Sequence, residues 1–162
     1  MIIEIDLSKS LEEIEDNYWG EPEFLSSLVI NCHKNRKIPL KELTPDQIRL
    51  LLGQDIGTKY LLPLALNILK ENPYIECTYY PCDLLLLIVE RIDLKYWIED
   101  KILYNEFNMI IEMFNMNFEK ENIERIKDLD EYDAEGEIID DEIKEEINEK
   151  WKNVIKKMED IM

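Results

Sequence analysis

The chain has 162 residues, with 37 Asp+Glu against 19 Lys+Arg, a formal net charge of −18 at pH 7. Its 46% hydrophobic content is too high for a disordered acidic tail, and four glycines and six prolines are too few for a collagenous or low-complexity chain. The charge argues against direct binding to nucleic acid or an anionic membrane, because both repel an acidic surface, and it favours a basic partner.

The N-terminal Met1-Ile2-Ile3-Glu4-Ile5-Asp6-Leu7 has no basic segment and no long apolar run, so no signal peptide is expected. Ile3, Ile5 and Leu7 alternate with polar residues and, with Cys77 to Tyr80, would form at most one short β ribbon. Ser10 with Glu13 makes a capping box for a helix over Leu11 to Glu15, and Gly20-Glu21-Pro22 breaks the chain. Phe24, Leu25, Leu28, Val29 and Cys32 fall on one helical face, which predicts a helix over 24–36 that buries them, ended by Pro39. Thr44-Pro45-Asp46-Gln47 is a helix start, with Thr44 as cap and Pro45 where its missing N–H does no harm. That helix turns Ile48, Leu51 and Leu52 inward and stops near Gly53 or Gly57. The next, over 60–71, is apolar nearly all round (Leu61, Leu62, Leu64, Ala65, Leu66, Ile68, Leu69), which places it at the domain centre. Pro63 belongs in or near its first turn, or kinks it, and Asn72-Pro73 closes it.

Asp83 is expected to cap a short buried helix from Leu84 to Glu90. Leu103, Phe107, Ile110, Ile111, Phe114 and Phe118 form a long stripe, and Ile123, Ile126 and Leu129 continue it on a further helix. Ile143, Ile147, Trp151, Val154, Met158 and Ile161 mark an amphipathic helix of about 20 residues. The longest uninterrupted apolar run, Leu84 to Val89, is far short of the roughly 20 residues a membrane span needs. The expected architecture is mainly α: a single-domain helical bundle of six to eight helices with at most one short β ribbon. Residues 1–118 form the helical core, and residues 119–162 add an acidic segment and a long C-terminal amphipathic helix packed on the same domain.

Catalytic signatures are missing. The chain has no GxGxxG, GxxxxGK[ST], GxSxG or HExxH motif. His33 is the only histidine, and on a helix it diverges by about 100° from its neighbour Cys32, poor geometry for a nucleophile and its base. Three cysteines, Cys32, Cys77 and Cys82, do not make a disulfide framework, and a metal site from Cys77, Cys82 and His33 lacks a fourth ligand. The expectation is a cytoplasmic protein with reduced thiols, no enzymatic activity and no cofactor.

The charge is concentrated. Residues 128–149 hold twelve acids and one base, Lys144, a net of −11. Such a block is either a solvated loop and helix face or a lure for a basic partner, raising its association rate in a salt-sensitive way. The candidate contact residues are Asp130, Glu131, Tyr132, Asp133, Glu135, Glu137, Asp140, Asp141 and Glu142, with Tyr132 as aromatic anchor. The same stretch can be laid on a twelve-residue calcium loop, residues 131–142, with Glu131, Asp133, Glu135, Glu137 and Glu142 as ligands and Gly136 at the sixth position. Glu stands at the first and fifth positions where Asp or Asn is usual, and there is no second loop to pair with.

Residues 11 to 92 carry a series of motifs in a particular order: Leu11-Glu-Glu-Ile-Glu, Trp19-Gly-Glu-Pro22, Ser27-Leu-Val with Cys32-His33, and Arg36-Lys-Ile-Pro-Leu40. There follow Thr44-Pro-Asp-Gln-Ile-Arg49, Leu52-Gly-Gln-Asp-Ile-Gly57, Tyr60-Leu-Leu-Pro-Leu-Ala-Leu66, Glu71-Asn-Pro73 and Tyr80-Pro-Cys-Asp-Leu-Leu85. This series resembles the immunity proteins of bacterial contact-dependent growth inhibition systems. One departure is Cys82, where the resemblance leads one to expect glycine. It implies a non-enzymatic cytoplasmic protein that binds the toxic C-terminal domain of a cognate effector, often a nuclease with a basic cleft. No residue-level binding motif comes with it; Trp19, Gly20, Pro22, Gly53, Gly57 and Pro63 are assigned to turns and core contacts instead.

Overall fold

A computed structural model describes residues 4–127 and 138–162 of the chain. The first helix, α1 (Leu11–Glu15), starts at the expected capping box: Ser10 N–H donates to Glu13 Oε2 at 2.8 Å and Glu13 N–H to Ser10 Oγ at 3.3 Å. Those bonds hold the Glu13 carboxyl below its ordinary pKa. The second helix, α2 (Ser27–Asn35), is shorter than the periodicity predicts. Ser26 caps it, accepting from Val29 N–H at 3.3 Å, so Phe24 and Leu25 lie in the preceding loop. Of the expected buried stripe only Cys32 is buried; Phe24, Leu25 and Leu28 face solvent. Spacing alone favoured the longer helix, but the serine cap supplies a better start than an aromatic residue.

A 3-10 turn over Leu40–Glu42 leads to α3 (Pro45–Gly53), where Gln47 Oε1 accepts from Thr44 N–H at 3.0 Å. Helix α4 (Thr58–Glu71) begins after Gly57, whose φ of +63° sets the turn. Pro63 lies in its second turn, so one intrahelical bond is forgone there. Leu61, Leu62, Ala65, Leu66 and Leu69 are all fully buried, as an apolar central helix requires. Helix α5 (Asp83–Arg91) buries the whole Leu84 to Val89 run. Its N-cap is Cys82, in the left-handed region at φ +69°, the conformation for which glycine would be the usual choice. Asp83 is therefore the first helical residue and not the cap the sequence suggests.

Helix α6 (Leu94–Glu99), capped by Asp93, has no counterpart among the sequence-based elements. Helix α7 (Lys101–Lys127) runs without interruption through Phe118, so Ile123 and Ile126 prolong it where a separate helix was expected. Helix α8 (Asp141–Ile161) carries Ile147, Trp151 and Met158 on its buried face. The bundle is assembled with α4 against α3 and α7, α5 against α3 and α8, and α6 against α7. Trp97, Phe107 and Trp151 meet where α6, α7 and α8 converge, with ring centroids 4.6–5.3 Å apart. The Trp151 indole N–H donates to Asn108 Oδ1 at 2.8 Å.

No strand forms among the described residues. Only single antiparallel bridges form there, Ser10 with Pro39 and Glu76 with Pro81, and they flank the strand-prone stretches rather than fall within them. Leu40 N–H donates to Lys9 C=O at 2.9 Å and Lys41 N–H to Leu7 C=O at 3.0 Å, so the N-terminal segment is tied to the turn after α2 without a ladder.

Candidate partner-binding surface

Two surfaces stand out, one read from the sequence and one not. The first is the acidic end of α8. Asp130, Glu131, Tyr132, Asp133, Glu135 and Glu137 lie outside the described residues. Of the candidate contacts, Asp140, Asp141 and Glu142 are described, and all three are exposed. Asp140 caps α8, accepting from Glu142 N–H at 3.0 Å. Three acids at a helix N-terminus also favour the helix dipole, so they have a structural use as well. Of the five calcium-loop ligands, Glu131, Asp133, Glu135 and Glu137 lie outside the described residues and Glu142 is described.

Just before the cap, Ile139 is buried, and its N–H and C=O both bond the side chain of Asn122 on α7. A reciprocal amide pair, Asn115 with Asn148 at 2.8 Å, joins α7 to α8 one stretch further along. These contacts turn Asp141, Glu142, Glu145, Glu146 and Glu149 outward. Lys144, the block's one base, packs 4.6 Å over the Phe118 ring and stands 3.9 Å from Glu119 Oε1 on α7. Lys150 bridges Glu90 at 3.1 Å and Glu146 at 3.5 Å, and the bond to Glu90 raises its pKa.

The second surface surrounds α2. Arg36 is almost fully buried and reaches back to the loop after α1: its guanidinium donates to Glu15 Oε2 at 2.6 Å and to the Asn17 carbonyl at 2.8 Å. It also lies 4.2 Å over the Trp19 ring, which packs edge-to-face with His33 at a centroid distance of 5.1 Å. His33 Nδ1 sits 3.2 Å from the Gly20 carbonyl. Trp19 and Gly20 thus fix the course of the loop. Gly57 is a close-approach site, because a Cβ there would stand 2.6 Å from both Leu11 methyls.

Next to α2, fully buried Asp83 organises the loop before α5. Its carboxylate accepts from the N–H groups of Cys77, Thr78 and Tyr79 at 2.8–3.0 Å. Arg49 Nε is 3.1 Å from Asp83 Oδ2, an ion-pair distance without hydrogen-bond alignment, and the guanidinium covers the Tyr79 ring at 4.8 Å. This cluster was missed by sequence reasoning: an Asp before an apolar run looks the same whether it caps the helix or anchors the preceding loop. Tyr80-Pro-Cys-Asp was the only signal at hand.

Among the described residues no three His, Cys, Asp or Glu side chains are grouped to hold a metal ion, and no helix is long and apolar enough to cross a membrane. Cys32, Cys77 and Cys82 are free thiols. Burial raises the pKa of each, to about 12 for Cys77 and Cys82. A thiol held protonated in this way is a packing group, not an activated nucleophile.

The sequence profile of the CDI immunity proteins matches residues 13–107. The chain belongs to this family. The match runs from α1 into α7 and so takes in the Arg36–Trp19 loop, Gly57 and the Asp83 cluster. It stops short of the acidic block and α8. Comparison with curated proteins and with solved structures gave no match.

Proposed function

We propose that this member of the CDI immunity proteins neutralises a cognate toxin domain in the cytoplasm by stoichiometric occlusion, without catalysis of its own. The family match over residues 13–107 carries the reading. Charge supports its finer form. A nuclease must attract phosphate, so its cleft is basic, and an acidic protein covering that cleft excludes the nucleic acid. The acids from Asp130 to Glu142, with Tyr132, are the proposed steering surface; of these, Asp140 caps α8 and Asp141 and Glu142 open it.

The test is binding of the full chain to the toxin domain encoded beside it, at low and high salt. The expected result is a 1:1 complex that blocks toxin activity and whose association rate falls about tenfold or more as salt is raised. A rate unmoved by salt removes the acidic block from the contact, and absence of any complex removes the function.

A further inference from the structure

The loop between α1 and α2 shows the fold exposing apolar side chains that it has the means to bury. Phe24 is 73% exposed, Leu25 81% and Leu28 43%. Phe24 and Leu25 are the last residues before the Ser26 cap, and Leu28 lies in the first turn of α2. Leu28 lines a groove of about 250 Å³ whose other walls include Leu50, Leu87, Tyr79 and Tyr80. Tyr79, across the groove, is 69% exposed.

The two ends of this segment are held. Arg36 pins the first half of the loop through Glu15, Asn17 and Trp19, and Ser26 fastens its end to α2. Asp83 holds the Tyr79 N–H and Arg49 supports its ring. Apolar groups presented on a fixed frame lose little entropy when a partner covers them, which is the property of a binding anchor. Clustered exposed apolar side chains mark an interaction site.

The surrounding charge selects the partner. From Ser10 through His33 the chain holds six acids and no Lys or Arg. Asp16, Glu21 and Glu23 are exposed, and no cation among the described residues pairs with them. The groove itself has Arg49 and Arg91 on its α3 and α5 walls, so the uncompensated acids lie on the side of the α1–α2 segment, and an apolar centre beside them fits a protein surface that offers an apolar pocket next to basic side chains.

Resting on the function proposed above, we infer that Phe24, Leu25, Leu28 and Tyr79, rimmed by Asp16, Glu21 and Glu23, form the anchoring contact for the basic face of the cognate toxin domain. This places the tight contact inside residues 13–107 and leaves the C-terminal acids to steer the encounter.

The experiment measures binding of the toxin domain encoded beside this chain to the native protein and to a Phe24→Ser/Leu25→Ser/Leu28→Ser variant. Circular dichroism and thermal melting of each free protein are recorded alongside. The expected result is a loss of about 100-fold or more in affinity, mostly in the dissociation rate, with an unchanged melt and a retained salt dependence. If the triple variant does not fold, Glu21→Lys/Glu23→Lys with Tyr79→Ala takes its place, and a loss of about tenfold or more is expected. A native protein that binds while the folded variant matches it within about threefold overturns this surface and leaves the proposed function standing. A native protein that does not bind overturns both. A native dimer that the substitutions convert to monomer, with toxin affinity unchanged, assigns the surface to a second copy of the chain and overturns the inference.

Discussion

The side chain of Asn122 on α7 closes two hydrogen bonds on the backbone of Ile139. The Ile139 N–H donates to Oδ1 at 2.9 Å, and Nδ2 donates to the Ile139 carbonyl at 3.0 Å. One amide thus satisfies both polar groups of a buried residue, as a neighbouring strand would, and seats the Ile139 side chain on the core. It is the tie that aims the first turn of α8. Replacing Asn122 with Ala leaves a buried N–H and C=O unpaired, and a loss of about 1–3 kcal/mol is expected in chemical denaturation. Hydrogen exchange at Ile139 should accelerate well beyond that global change; exchange unaltered relative to α4 would contradict the role given to this pair.

Asp83 carries a heavier duty. It is fully buried, accepts three backbone N–H groups and faces Arg49. Asp83→Ala strands three donors and a guanidinium, so a loss of about 3–5 kcal/mol is expected, enough to unfold a marginal domain. Asp83→Asn keeps one accepting oxygen and loses the charge. It should fall between the native protein and Asp83→Ala, a ranking that thermal melts of the three proteins check directly.

Gly57 is constrained twice over. Its φ is +63°, and a Cβ would stand 2.6 Å from the Leu11 Cδ atoms. The left-handed conformation costs a non-glycine residue about 1–2 kcal/mol, and crowding a closed core costs about 1–3 more. Gly57→Ala should therefore destabilise by about 2–5 kcal/mol. In the background Leu11→Ala the crowding disappears, so the added cost of Gly57→Ala should shrink to the backbone part. Additive losses in that double variant would place the strain elsewhere.

The thiols make stability depend on alkaline pH. Burial pushes Cys77 and Cys82 up to about 12 from an ordinary 9.0, and burial also raises the Tyr74 hydroxyl. The folded chain keeps these protons at pH values where the unfolded chain releases them. Between about pH 9 and 12 the unfolded state therefore binds fewer protons, and stability falls as pH rises. Urea midpoints should drop across that window and stay level from pH 7 to 9. Cys77→Ala with Cys82→Gly, a change the left-handed backbone at Cys82 accepts, should flatten the alkaline slope. A slope identical in both proteins would acquit the thiols.

How much of this was legible in the sequence follows from where the information sits. The Ser10–Glu13 box, the Thr44–Pro45 start, the all-round apolar run of α4 and the stepped stripe of α8 are local patterns, and each produced its helix. The ordered motifs between residues 11 and 92 pointed to the family that the profile match over 13–107 then established. Net charge and its concentration are likewise properties of the chain alone.

The tertiary structure decided what local pattern leaves degenerate. Phe24, Leu25 and Leu28 have the spacing of a buried stripe, but Ser26 begins the helix after two of them, and among the described residues no other element covers the set. Asp83 has the sequence of a cap, but the turn at Cys82 delivers its carboxylate to the preceding loop. Arg36 stands out in the sequence only as the first residue of Arg36-Lys-Ile-Pro-Leu40, and it is the loop from Glu15 to Trp19 that closes over it. In each case the deciding partner lies across a turn or on another helix. Periodicity measures which face a residue occupies; only the packed chain determines what that face meets.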